Sequence, residues 1–279
     1  MPGDDLIHFR KAELPPYLLL KNGNFLYKVP YRDGHAVLKV YLGSRNWFQH
    51  VSKTLGNVLL ANQTSFMPAA RRRTELGCIQ LWKDAGFRVF DVHDDVVVDD
   101  LAADLYATYE YCPGRLYVNL LNDPGIPVEE RLELWRRFLP EWHRRHQLAL
   151  ERREPRFVHE NGDLKHIMLY NDELVFFDFE MVFRSPQRVR EFVGREILSF
   201  LKSLGKTVGA EHWDRFMAET VRHYPDASLL EYTHEFAFRN KNLALRAARW
   251  MDRKVKPRAR KPFAKYSVAL KLQELLHTG

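Results

Sequence analysis

Lys39 lies within Ala36-Val-Leu-Lys39-Val-Tyr41, a charged residue inside an apolar run. An ammonium there costs free energy unless it finds a partner. The position reads either as a phosphate-holding lysine on the third strand of a nucleotide-binding sheet, or as an edge lysine that strand alternation turns to water. Glu75, in Arg71-Arg-Arg-Thr-Glu75-Leu, follows on a helix and offers Lys39 a counter-charge. The simpler account of Glu75 is an acid favoured near a helix N-terminus. Further on, Val158-His-Glu-Asn-Gly-Asp163-Leu-Lys-His166 gathers His159, Glu160, Asn161, Asp163, Lys165 and His166, denser than a polar loop needs. Phe176-Phe-Asp178-Phe-Glu180 then sets two carboxylates after an apolar strand. Such oxygen ligands suit Mg²⁺, which prefers carboxylates together with phosphate oxygens; the alternative is an aspartate capping a turn.

Two weaker features accompany these. Gly23, in Lys21-Asn-Gly23-Asn-Phe, is the best candidate for a phosphate loop, but no G-x-G-x-x-G series surrounds it, so any backbone cradle is short. Glu110-Tyr-Cys112-Pro-Gly114 reads as a hinge whose backbone at Glu110 and Cys112 meets an adenine edge, or as an ordinary strand-to-turn exit.

The elements that must position these residues can be read in order. Residues 17–42 show strands with turns at 21–24 and at Arg32-Asp-Gly34. Residues 68–86 read as a helix, with Pro68 in its first turn, Leu76, Ile79 and Trp82 on one face, and Gly86 as its stop. Strands are expected at 87–92, 95–98 and 103–111, before the break at Pro113-Gly114. Residues 127–148 form an amphipathic helix with Leu132, Trp135, Leu139 and Trp142 on one stripe. Short strands at 167–170 and 174–177 flank Asn171-Asp172, and residues 187–279 are helical in character. The class is α+β and bilobal. A small antiparallel-sheet lobe with one helix spans 1–112, and a larger, mainly helical lobe spans 113–279, with a ligand cleft expected between them.

Composition is that of a globular chain: 279 residues, 46% apolar and 28% charged. The net charge of +7 is concentrated from Arg239 to Lys271, where twelve Lys/Arg face one acid, Asp252. That stretch suits phosphate-bearing partners, and Trp250, Phe263 and Tyr266 interleave with its charges. Cys78 and Cys112 sit in apolar stretches as small core residues, and two cysteines make neither a disulfide framework nor a zinc site. With no signal peptide and no apolar run of membrane-spanning length, the expected location is the cytoplasm, with peripheral attachment to the inner membrane as the alternative.

Taken together, residues 20–205 resemble the protein-kinase-like superfamily. Ala36-Val-Leu-Lys39 is similar to its strand-three lysine segment, Glu75 to its helix-C glutamate, Glu110–Gly114 to its hinge, and Asp178-Phe-Glu180 stands where it has Asp-Phe-Gly. Within the superfamily the chain most resembles bacterial lipopolysaccharide-core kinases, which phosphorylate heptose or Kdo sugars. Their block of His, any residue, Asp, four residues and His fits His159 to His166 without a gap. In that register Asn161 falls on the catalytic aspartate, and an amide cannot take up the acceptor proton as a carboxylate does. A second register places Asp163 there, with a loop two residues short.

The resemblance implies an ATP-dependent, Mg²⁺-using kinase of a sugar hydroxyl on an envelope glycolipid. Lys39 would hold phosphates, Glu75 would orient Lys39, and Asp178 with His166 would bind the metal. Asp163 or the Asn161 position would orient the acceptor, and the basic stretch would meet an anionic glycolipid or the inner leaflet. Other readings are a kinase of a soluble small molecule or protein, and a silent nucleotide-binding pseudokinase. Nucleic-acid binding ranks last, since no such motif is present.

Overall fold

A computed structural model describes residues 6–21, 23–42, 54, 62–238 and 263–278. The chain falls into two compact units, Met1–Gly114 with Tyr170–Arg184, and Arg115–Leu169 with Ser185–Gly279. The class is the expected α+β: an antiparallel sheet with a long helix in the first unit, and mainly helices in the second.

The first unit contains β1 (Ile7–Phe9), β2 (Leu18–Lys21), β3 (Phe25–Tyr31), β4 (Gly34–Val40), α1 (Pro68–Asp84), β5 (Val92–His93), β6 (Val96–Val98) and β7 (Tyr106–Glu110). Five strands form an antiparallel sheet in the order β2-β3-β4-β7-β5. The two-residue loop Arg32-Asp33 closes β3 onto β4, with Arg32 at φ 50° and Tyr31 opposite Gly34. On β4 the side chains alternate between faces. Ala36, Leu38 and Val40 enter an apolar core with Phe9, Leu14, Val29, Val96, Val98 and Tyr106. Lys39 lies on the other face, which it shares with Val37 and, across the ladder from Val37, with Tyr109.

Two details differ from the sequence expectation. Residues 103–105 form a 3₁₀ turn rather than the start of a strand, and of 87–92 only Val92 belongs to a ladder strand. Phe87 and Val89 are buried nonetheless, and Val89 makes a single parallel bridge to Phe176. β1 and β6 pair in parallel, Ile7 opposite Val96, a long-range contact that no local pattern announces.

In α1 the buried residues are Pro68, Arg71, Glu75, Cys78, Ile79 and Trp82, a stripe at intervals of three and four. Two of the six are charged, so the buried face lies differently from the one read through Leu76. Pro68 starts the helix where its missing N–H costs nothing, and Gly86 follows its end at φ 76°.

The second unit contains β8 (Arg115–Leu116), α2 (Tyr117–Asn122), α3 (Val128–Glu151), β9 (Ile167–Tyr170), α4 (Val189–His223), α5 (Ala227–Phe238) and α6 (Lys265–Thr278). The α4 run breaks at Gly209, whose φ of 75° interrupts the helix. The apolar stripe of α3 packs as an aromatic cluster. Phe138 stacks on Trp142 at 5.4 Å, and both meet Phe200 of α4 at 5.6 and 5.3 Å. Trp135 satisfies its indole N–H on Thr220 at 2.9 Å. Strand β10 (Glu173–Phe176), in the first unit, follows Asn171 and Asp172, which take the positive φ of a tight turn, 47° and 64°. No described helix is long and apolar enough to cross a membrane.

Gly162 is buried against this aromatic cluster. A Cβ there would stand 2.7 Å from a Phe200 ring carbon and 2.9 Å from Glu196 Cγ, closer than either packed group allows. Gly162→Ala is expected to lower unfolding stability by about 1–3 kcal/mol, as overpacking does; urea denaturation of the variant checks this.

Candidate functional site

In the first unit, Lys39 and Glu75 form a buried ion pair. Lys39 Nζ lies 2.7 Å from Glu75 Oε2 and 3.0 Å from Oε1. It also lies 2.7 Å from Glu180 Oε1 and 3.8 Å from Asp178 Oδ1. At 7% exposure the lysine does not face water. Burial opposes its charge, but Glu75, Glu180 and Asp178 outweigh that and hold its pKa well above the ordinary lysine value. Burial pushes the Glu75 carboxyl up, Lys39 pulls it back, and Glu180 and Asp178 push it up again.

Two tyrosines complete the holding of Glu75. The Tyr41 hydroxyl donates to Glu75 Oε2 at 2.6 Å and lies 2.6 Å from the Tyr109 hydroxyl. Since Tyr41 spends its proton on the carboxylate, Tyr109 is the donor in the second bond. Burial, with Glu75 nearby, raises both phenol pKa values, so both remain donors. Local geometry explains the convergence: Tyr41 is two residues beyond Lys39 on the same face, and Tyr109 lies across the ladder.

A second cation enters from α1, one turn before Glu75. Arg71 Nη1 donates to Asn24 Oδ1 at 2.7 Å and to Glu180 Oε2 at 2.8 Å, and its Nη2 donates to the Tyr41 carbonyl at 2.5 Å. The Asn24 amide also donates to Glu180 Oε1. Phe179 and Phe176 pack on Trp82 of α1 with ring centres at 4.5 and 5.4 Å, which anchors the segment carrying Asp178 and Glu180. Asp178 has φ 69°, a left-handed conformation that Asp tolerates better than most side chains. Its side chain is 40% exposed, against 13% for Glu180.

The other first-unit candidates stand nearby in sequence. Gly23 is half-buried in the turn that leads to Asn24. Glu110 spends its carboxylate on Arg88, with both oxygens at 2.6 Å, and its N–H on the Asp91 carbonyl at 2.8 Å. Cys112 is buried, and burial pushes its thiol pKa up.

The 158–166 block belongs to the second unit and is pinned there from beneath. Glu196 of α4 accepts the His159 backbone N–H at 2.8 Å on Oε2 and Arg145 of α3 on Oε1 at 2.5 Å. His159 and His166 stack at 4.9 Å with 12° between their planes. His166 Nδ1 donates to the Asn161 carbonyl at 3.0 Å, since a carbonyl oxygen only accepts. Asp163 caps the short 3₁₀ turn Leu164–His166. Its Oδ1 accepts the Lys165 N–H at 3.2 Å and the Ser203 hydroxyl at 2.8 Å. Asn161 is exposed and Asp163 half-buried. Among the described residues no group of three or more His, Cys, Asp or Glu side chains is arranged to hold a metal ion.

Most of the basic stretch, 239–262 with Trp250, lies outside the described residues. Of its described end, Phe263 packs on Trp213 at 5.4 Å and Tyr266 on Phe238 at 5.6 Å. Lys271 pairs with Asp214 at 3.3 Å and Glu274 at 3.1 Å.

No protein-family model and no curated protein sequence matches the chain. Solved structures do match. One is described as WaaP in complex with acyl carrier protein, at 15% identity and TM-score 0.36, covering 80% of this chain and 88% of that one. Another is the apo GRMZM2G135359 pseudokinase, at 14% identity and TM-score 0.42, covering 99% and 98%.

The residues that sequence reading left out of the site are Asn24, Tyr41, Arg71 and Tyr109, while Glu180, read with Asp178 as a metal carboxylate, is paired with Lys39 and Arg71. Glu180 stood beside Asp178 in the same motif, and Arg71 stood one helical turn from Glu75. The buried residues Arg145 and Glu196 carried no signal beyond their helices.

Glu196 supplies a pH-dependent part of stability. Burial disfavours its charge, yet Arg145 and His146 outweigh this and bring its pKa down to about 2. Burial pushes the His146 pKa down, so its imidazole, 3.5 Å from Glu196, is neutral at pH 7. A folded-state carboxyl pKa below the unfolded value stabilises above the unfolded value and loses that contribution on acidification. The loss should run from about pH 4.5 down to pH 2 and amount to on the order of 3 kcal/mol. Glu196→Gln is expected to be less stable at pH 7 and to show a flatter acid limb in stability measured against pH.

Proposed function

We propose that this chain is an ATP-dependent phosphotransferase of the protein-kinase-like class, with a sugar hydroxyl of an envelope glycolipid as its acceptor. The observation that carries the reading is the buried Lys39 ammonium, fixed by Glu75, which Tyr41 holds in turn, with the Asp178 carboxylate 3.8 Å away. Phosphoryl transfer is mainly positioning and charge neutralisation. A fixed ammonium beside a half-exposed carboxylate suits the phosphates of a nucleotide and the magnesium ion they carry, since Mg²⁺ is commonly held by one or two carboxylates plus phosphate oxygens. On this reading Lys39 grips the phosphates, Asp178 holds the ion, and the Glu110 carbonyl and Cys112 backbone meet the base. Gly23 gives the turn beside Asn24 its close approach. Asp163, or the amide of Asn161, orients the acceptor hydroxyl. The glycolipid acceptor rests on the resemblance of the 158–166 block, and the basic stretch from Arg239 to Lys271 would supply the anionic contact near the inner membrane.

A second reading has its own observation. Asp163 Oδ1 is engaged by Ser203 and by the Lys165 N–H, and the neighbouring candidate, Asn161, is an amide that cannot act as a base. Both fit a nucleotide-binding pseudokinase.

Wild type, Lys39→Met, Asp178→Asn and Asp163→Asn separate the two. Nucleotide binding is read by calorimetry with and without Mg²⁺, and ATP turnover by phosphate release. The kinase reading expects Lys39→Met to weaken ATP at least about 10-fold and Asp178→Asn to remove the Mg²⁺ dependence and cut turnover about 100-fold or more. It expects Asp163→Asn to bind ATP normally and turn over slowly. ATP binding without turnover in the wild type supports the pseudokinase, and absence of nucleotide binding defeats both.

A further inference from the structure

Glu180 occupies a place that a strand-end motif alone does not explain. Donors from three separate elements meet on its carboxylate: the Asn24 amide from the β2–β3 turn, the Lys39 ammonium from β4 and the Arg71 guanidinium from α1. Lys39 and Arg71 stand at 2.7 and 2.8 Å, the range of charge-assisted bonds. Both cations are aimed by other contacts. Glu75 holds Lys39, while the Tyr41 carbonyl and Asn24 Oδ1 hold Arg71. Without the Glu180 carboxylate, two preset cations and an amide would still converge on one point. An arrangement of that kind accepts an oxyanion, whether carboxylate or phosphate.

The charge balance bears on what can enter. Lys39 and Arg71 face Glu75, Glu180 and Asp178, so the cluster as it stands is net negative. A polyphosphate would meet repulsion with no cation left uncommitted in the cluster. Once Glu180 withdraws, Lys39 and Arg71 balance Glu75 and Asp178, and an incoming phosphate replaces one anion by another on the same donors.

We propose that Lys39, Arg71 and Asn24 form one oxyanion site for a nucleotide phosphate, and that the Glu180 carboxylate is its built-in occupant, displaced when the phosphate binds. The inference rests on the nucleotide reading given above and deepens it. It makes Arg71 a second phosphate-binding cation and Glu180 an internal competitor of the nucleotide. Nucleotide affinity in the wild type is therefore set by an exchange between two anions, not by filling a vacant site.

The test uses the full chain and three probes: ATP, adenosine, which has the base and sugar but no phosphate, and inorganic pyrophosphate, which has only the phosphates. Calorimetry is run on wild type, Glu180→Gln, Glu180→Asp, Arg71→Gln and the double variant Arg71→Gln/Glu180→Gln, with a melting curve for each. Glu180→Gln should bind ATP and pyrophosphate about 10-fold tighter and leave adenosine unchanged. Glu180→Asp keeps the charge but is one methylene shorter, and should give a smaller gain; it stands in should the glutamine variant fold poorly. Arg71→Gln should weaken both phosphate probes, and the gain from Glu180→Gln should shrink in its background, as coupled residues require. If ATP binds the wild type but neither Glu180 variant tightens it, the inference is overturned and the nucleotide reading stands. If Glu180→Gln tightens pyrophosphate while ATP binds no better than pyrophosphate and adenosine does not bind, the oxyanion site stands and the nucleotide reading falls. No binding of ATP or pyrophosphate by any folded variant overturns both.

Discussion

An ammonium buried in a sheet must be neutralised, and much of the first unit answers that requirement. Lys39 sits on the central strand of the five-stranded sheet, with Ala36, Leu38 and Val40 committed to the core on the opposite face. Its own face is therefore closed by α1, and the helix must bring a carboxylate. Glu75 does so from the buried stripe of α1, and Tyr41, itself bonded to Tyr109, donates to its carboxylate. The cost of burying charge is met by a hydrogen-bonded network instead of an isolated pair. That makes the network intolerant of losing one member, because an orphaned buried charge costs more than the pair contributes.

The second unit repeats the solution for a different end. Arg145 and Glu196 have no side-chain exposure, and their pairing places a carboxylate oxygen under the backbone of His159. The block that follows is thus held by its main chain at His159. His166 is oriented by the Asn161 carbonyl and by stacking on His159. Gly162 permits the approach to Phe200 and Glu196 that this anchoring demands. Packing of Phe138, Trp142 and Phe200 gives the anchor its rigidity.

The same logic separates the two carboxylates after β10. Asp178 is half-exposed in a left-handed conformation beside Lys39, and Glu180 is enclosed between Lys39 and Arg71. Phe179, between them in sequence, packs on Trp82 and sets both positions at once. One short motif therefore presents one carboxylate towards solvent and spends the other on the cations.

The sequence by itself determined the α+β class, the order of strands and helices, and the neighbourhoods of Lys39, Glu75 and Asp178. Those follow from local signals: strand alternation, helical periodicity, turn residues such as Asn171-Asp172, and the cost of a lysine in an apolar run. The tertiary structure alone decided that Glu180 lies nearer the lysine than Asp178, that Arg71 and Asn24 join it, and that residues 170–184 pack with the first unit. It also decided the parallel pairing of β1 with β6 and the engagement of Asp163 by Ser203. These are meetings of residues tens to more than a hundred positions apart. Periodicity counts apolar residues, so it passes over a charged side chain such as Arg71, Arg145 or Glu196 on a buried face. Such a side chain shows its role only when its partner is brought beside it.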